Sequence, residues 1–282
     1  YLNCAYMGPL PRVSEEAGVQ AIQKKLAANG ITLLISDTGG ERTKVAELSR
    51  TLTQHRVEAL IYVADYHRKI DLPDEARQQK LLLVNCFDDH GTPTIVPDDY
   101  MGQKLLTERL LEAGHKRIGF LTLPQDLVAY ELRLDGYQDA LSSAGIEFDS
   151  SLVQTAGLHH SGPQEVMLIS EAVDYLMVLD DPPTVICCGN DRMALQLYGV
   201  LRTRGVRVPE QLSVAGFDDY KLRSEPLYPP LTTAVLPYQL MGTRAAEWLL
   251  TEIRGKEEMS SQQIQRIRGP VVWRQSVIAQ QQ

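Results

Sequence analysis

The stretch from Pro182 to Tyr220 restricts the fold more than any other part of the chain. Two prolines precede a short apolar run, Val185–Cys188, which reads as a buried parallel strand. Asn190 and Asp191 follow, residue types that cap helices, and Met193, Leu197, Val200 and Leu201 then recur at helical spacing. Gly205 and Pro209 stop that helix, and Leu212–Phe217 forms a second apolar strand ending on Asp218 and Asp219. A strand, a helix and a strand in such quick succession specify a parallel pair joined by a crossover helix. Ligands of open α/β sheets gather at the carboxyl ends of the strands. Asn190, Asp191, Asp218 and Asp219 therefore share one rim, an array suited to a molecule with several hydroxyls. The same residue types also form turns and caps, and the pattern alone leaves both roles open.

The alternation extends along the chain. Leu2–Met7, Ile31–Ile35, Val57–Val63 and Leu81–Cys86 read as strands, separated by a helix over Val13–Asn29, a helix marked by Val45, Leu48 and Leu52, and a short helical piece near Asp74. Tyr6, Asp37, Asp65 and Phe87 fall at the ends of these strands and are candidate ligand contacts on that ground alone. Asp98 caps a helix with Met101, Leu105, Leu106 and Leu110 on its apolar face. A second series follows: strand Ile118–Leu123, helix Tyr130–Ala144, strand Leu152–Thr155, helix Glu165–Leu179, then the unit around Val185. A chain of 282 residues exceeds the usual single core, so the expectation is an α/β fold of two doubly wound parallel-sheet lobes. Beyond Asp219 the pattern becomes irregular, with Pro226, Pro229 and Pro230, an extended Leu231–Val235, a helix Leu240–Ile253 and a last extended run, Ile264–Trp273. A late helix that returns to the first lobe makes a multi-crossover hinge. The boundaries expected are 1–121 plus 236–260 for the first lobe and 122–235 plus 261–282 for the second.

Composition removes several function classes. The net charge is −8 and no run of five basic residues occurs, so these residues alone should not grip nucleic acid strongly. Apolar runs are of strand length, which excludes a membrane span, and the start lacks the basic and apolar regions of an export signal. Cys4, Cys86, Cys187 and Cys188 show no C-x-x-C spacing, and neighbours in a strand point to opposite faces, so Cys187 and Cys188 should not bridge. They read as reduced thiols of a cytoplasmic protein. Two adjacent histidines, His159 and His160, do not make a metal site without further ligands. No G-x-G-x-x-G, P-loop or G-x-S-x-G elbow is present, so no catalytic residue, metal or cofactor is assigned.

Five segments in order carry a resemblance. Gly114-His115-Lys116-Arg117-Ile118-Gly119-Phe120-Leu121, Arg133-x-x-Gly136-Tyr137, Pro182-Pro183-Thr184 through Asn190-Asp191-x-Met193-Ala194, Val208-Pro209 through Gly216-Phe217-Asp218-Asp219, and Pro229-Pro230-Leu231-Thr232-Thr233 resemble the LacI/GalR family of bacterial transcription regulators. The family's N-P-F-F after the first strand is absent, with Gly8-Pro9-Leu10-Pro11 in its place. The resemblance implies a fold like the type I periplasmic binding proteins, with a small effector in the cleft between lobes. It also implies a homodimer coupled to operator DNA through a helix-turn-helix domain ahead of these residues. A sugar-like polyol is the expected effector, although purine-binding members share the scaffold; the alternative function is a solute-binding protein for sugar uptake. Carried over by position, Arg133 would offer a forked donor, Asn190 an amide, and Asp218 an acceptor for two neighbouring hydroxyls. Either Asp98 or Asp99 would stand for the family's acidic residue before Gly102, and His160 lies on a loop where the family often places a ligand contact.

Overall fold

The computed structural model describes residues 2–8, 13–39, 41–159, 162–255 and 264–280, with side chains from residue 17 onward except Arg42. The chain forms two compact units, Tyr1–Pro97 with Pro237–Ile267, and Asp98–Leu236 with Arg268–Gln282.

The first unit contains strands β1 (Leu2–Gly8), β2 (Ile31–Asp37), β3 (Ala59–Lys69), β4 (Lys80–Phe87), β5 (Thr94–Pro97) and β11 (Ile264–Ile267), with helices α1 (Val13–Ala27), α2 (Arg42–Gln54), α3 (Asp74–Arg77) and α9 (Tyr238–Ile253). Its strands run in the order β11-β5-β4-β3-β1-β2, every neighbouring pair parallel. Helix α1 buries Val19, Ile22 and Leu26 at helical spacing, and α9 buries Met241, Ala245 and Leu249. Leu60, Tyr62, Leu81 and Leu83 meet Val45 and Leu52 of α2 in one core.

The second unit contains β6 (Ile118–Thr122), β7 (Val153–Thr155), β8 (Val185–Cys188), β9 (Ser213–Asp218), β10 (Thr232–Val235) and β12 (Val271–Val272), with helices α4 (Asp99–Glu112), α5 (Val128–Ser143), α6 (Pro163–Met177), α7 (Asp191–Thr203) and α8 (Lys221–Ser224). The order is β12-β10-β9-β8-β6-β7, parallel except for the antiparallel edge strand β12. Strands β6 and β8, buried at every position, lie within this sheet, which is why their sequences are apolar without alternation. The motif around His115 has a structural cause. His115 is fully buried; its Nε2 lies 2.9 Å from the Ile278 carbonyl and therefore donates, leaving Nδ1 to accept from the Thr184 hydroxyl at 2.8 Å. Burial lowers its basicity and keeps the ring neutral. One imidazole thus ties the strand leading from α4 to the Pro-Pro-Thr segment and to the carboxyl-terminal tail.

The structure moves two expected boundaries. The first unit ends at Pro97, not at residue 121, because α4 packs on α5 and β6 pairs with β7 and β8. The expected run Ile264–Trp273 divides: Ile264–Ile267 extends the first sheet beside β5, whereas Val271–Val272 borders β10 of the second. Periodicity identifies a helix or a strand, but the sheet it joins depends on partners remote in sequence. Cys86, Cys187 and Cys188 are buried free thiols, and burial pushes Cys187 up to about 12.

Candidate functional site

The carboxyl edge of the second sheet gathers most of the polar residues singled out in the sequence. Each arrives for a local reason. Asp98 is the cap of α4, its Oδ1 accepting from the Met101 amide at 3.1 Å. That leaves Asp99, the next residue, to enter the first turn fully buried. Of the two acidic contenders, one is therefore a cap and the other an interior charge.

Asp99 is paired with Arg133. The guanidinium Nε donates to Asp99 Oδ1 at 2.8 Å, and Nη2 lies 2.6 Å from the same oxygen. Nη1 donates to the carbonyl of Gly189, and the guanidinium carbon sits 3.5 Å from the centroid of the Phe217 ring. Arg133 is 4% exposed and Asp99 is 0% exposed. The expected open donor is thus a closed one: its ion pair, its carbonyl contact and its aromatic platform are all internal to this unit. Phe217 and the Gly189 carbonyl were not expected as its partners. The trace in sequence is the i, i+3 spacing of Arg133 and Gly136, which puts both on the face of α5 that meets α4, while Tyr137 faces β6.

Asn190 caps α7, with its Oδ1 accepting from the Met193 amide at 2.8 Å. Its amide nitrogen keeps no partner among the described residues, so the capping and ligand-binding readings are compatible in one side chain. Asp191 is fully buried behind it, accepting from the Thr233 hydroxyl at 2.7 Å and the Tyr220 amide at 2.8 Å. A side chain on Gly216 would collide with the Asp191 carboxyl and with Leu231, which accounts for glycine there. Asp219 turns away from the rim to Arg274, 2.7 Å distant, and to the Ser224 hydroxyl.

Asp218 is different. It ends β9 at φ +123°, half-buried; its backbone carbonyl accepts from the Leu236 amide at 3.0 Å, while its carboxyl accepts no hydrogen bond from the described residues. Burial pushes its carboxyl up to about 7; the Arg133 guanidinium works against this and the Asp99 carboxylate adds to it. Burial and the neighbouring Asp218 likewise raise Asp191 well above the usual carboxylate range. The folded protein then holds protons that the unfolded chain releases near pH 4, so this pair costs stability as pH rises from about 4 to 7. Asp218→Asn should gain in melting midpoint relative to the parent across that interval. Thermal melts of both proteins at pH 5 and pH 8 test this, and an equal difference at the two values would contradict it.

Among the described residues, Asp37, Asp65 and Phe87 of the first unit do not form a comparable cluster. Asp37 is exposed and closes a turn by accepting from the Gly39 amide at 2.8 Å. Asp65 sits where β3 slips register between Val63 and Arg68, and its Oδ1 lies 3.0 Å from Arg68 Nη2, in ion-pair range but not aligned as a hydrogen bond. Phe87 ends β4 half-buried, edge-on to His67 at 6.0 Å. Tyr6 is placed only by its backbone, opposite Ile35 and Ile61, and its side chain lies outside the described residues, as does His160. His159 is exposed and pairs with Asp126 at 3.0 Å. Among the described residues no group of three His, Cys, Asp or Glu is placed to hold a metal, and no helix is long and apolar enough to cross a membrane.

Comparison with known proteins places this geometry. Residues 107–277 match the periplasmic binding protein-like domain family. The sucrose operon repressor of Escherichia coli is 33% identical over 215 residues, 75% of this chain and 63% of the repressor, so the chain spans less than two thirds of that relative. A crystal structure of a LacI-family transcriptional regulator from Rhizobium etli superposes with a TM-score of 0.85 at 32% identity, covering 98% of this chain and 99% of the other. A complex of the transcriptional regulator CelR with cellobiose superposes with a TM-score of 0.79 at 25% identity, covering 97% and 84%. These three are regulators of transcription. The domain match, the repressor sequence and the two regulator structures agree with the fold and motifs above, and the chain belongs to the LacI family of transcriptional regulators.

Proposed function

We propose that this chain is the effector-sensing, non-enzymatic core of a cytoplasmic LacI-type repressor. It binds a small sugar-like molecule at the carboxyl edge of the second sheet and couples that event to operator DNA held by a separate domain of the homodimeric protein. The observation that carries this reading is Asp218: a rim carboxyl without an internal donor, beside neighbours whose acceptors are occupied. Two adjacent hydroxyls of a polyol would supply the missing donors, and the Asn190 amide would donate to a third oxygen. Arg133 supports the site from beneath, holding Asp99 and Phe217 in place. Asp37, Asp65, Phe87, Tyr6 and His160 remain proposed contacts of lower rank. The cellobiose complex of CelR supports a sugar.

Thermal-shift measurements with sucrose, cellobiose, galactose, ribose and adenine test the proposal. A binder present at a hundred times its dissociation constant adds about 2.7 kcal/mol and raises the midpoint by several degrees. At least one sugar should do so, and Asp218→Asn should abolish the response. A full response in Asp218→Asn would refute the assigned site, and a response to adenine alone would refute the sugar class.

A further inference from the structure

The loop between β7 and α6 is held by an ion pair that contributes poorly as a stabilising contact. Glu165, in the first turn of α6, has a fully buried side chain, and Arg192, in the first turn of α7, is 13% exposed. Arg192 Nη2 lies 2.8 Å from Glu165 Oε1. Between them they occupy both backbone polar groups of Leu158: its amide donates to Glu165 Oε1 at 3.0 Å, and its carbonyl accepts from Arg192 Nη2 at 2.8 Å. The pair leaves two of its own buried atoms without partners, Glu165 Oε2 and Arg192 Nε. A buried ion pair with unsatisfied atoms repays little of its desolvation, and an apolar pair of similar volume often serves stability as well or better. What an apolar pair could not do is hold a backbone amide and carbonyl at once.

The geometry points to Glu165 and Arg192 as positioning residues of the effector site; this rests on the reading proposed above. Arg192 is two residues beyond Asn190 on the same helix turn, so fixing Leu158 to it fixes the loop that continues into His159 beside the rim. His159 is in turn paired with Asp126 from the segment between β6 and α5, so three successive loops at one edge are cross-linked. The latch sets which parts of an effector the loop can meet, and hence which sugars are distinguished.

The double variant Glu165→Leu/Arg192→Met separates positioning from stability. Its melting midpoint should equal or exceed that of the parent, while the amide of Leu158, measured by hydrogen exchange without added sugar, should exchange at least about tenfold faster. In the panel of sucrose, cellobiose, galactose and ribose, the sugar that shifts the parent most should bind about tenfold more weakly, with the differences among sugars reduced. Asp218→Asn should leave the Leu158 exchange rate unchanged. Unaltered exchange at Leu158, or a lowered midpoint with the sugar ranking intact, overturns the latch. A panel that moves neither parent nor variant defeats the effector reading, and the exchange rate still decides the latch.

Discussion

Arg133→Ala is expected to lower the melting midpoint of the unliganded protein by roughly 10 °C, from a loss of about 3–5 kcal/mol. From the sequence, this arginine reads as a forked donor to an effector. The structure gives the guanidinium internal partners. Truncation strands the Asp99 carboxylate, fully buried, with its cation gone. It also takes the donor from the Gly189 carbonyl and uncovers one face of Phe217. Each loss adds to the others because Asp99, Gly189 and Phe217 are all buried. Arg133→Lys should recover only part, since an ammonium neither forks onto a carboxylate and a carbonyl nor stacks flat on a ring. The double variant Arg133→Met/Asp99→Leu should be much less damaged than the single one, because it removes both charges together. Denaturation of the three variants without ligand checks this, and an unchanged midpoint for Arg133→Ala would show that the pair is not held as described.

Gly136→Ala should destabilise by about 1–3 kcal/mol, opposite in sign to what helix propensity favours. On an exposed helix the change would gain about 1 kcal/mol. Here a Cβ would strike the Tyr100 carbonyl and come within 3.0 Å of the Lys104 amide, both backbone atoms of α4 that cannot rotate aside. The helices must separate, and the separation would loosen the Arg133–Asp99 pair that lies between them. Chemical denaturation of the variant decides the matter, a stabilised Gly136→Ala being incompatible with the close approach.

The sequence was legible wherever a local rule suffices. The β-α alternation, the caps at Asp98 and Asn190, and the helix stops at Gly114 and Gly205 follow from spacing and residue type, and the structure places them there. The candidate site was legible as a set of residues and not as a set of roles. Nothing near Asp99 distinguishes it from Asp98; the difference is one step of helix rotation, which turns Asp98 to the cap and Asp99 into the interior. Arg192 and Glu165 each look like an ordinary helix-surface charge in sequence, because the partner that defines the role lies 27 residues away.

What the sequence determined by itself is the order and type of the elements and the family they belong to, since hydrophobic period and turn chemistry act over a few residues. Tertiary structure alone decided that residues 98–121 join the second unit and that Ile264–Trp273 divides between two sheets. It also decided that Arg133 is spent on Asp99 and Gly189, while the Asp218 carboxyl meets no donor among the described residues. These outcomes depend on which distant backbone or charge is brought within bonding distance, and desolvation and ion pairing are fixed only at that point.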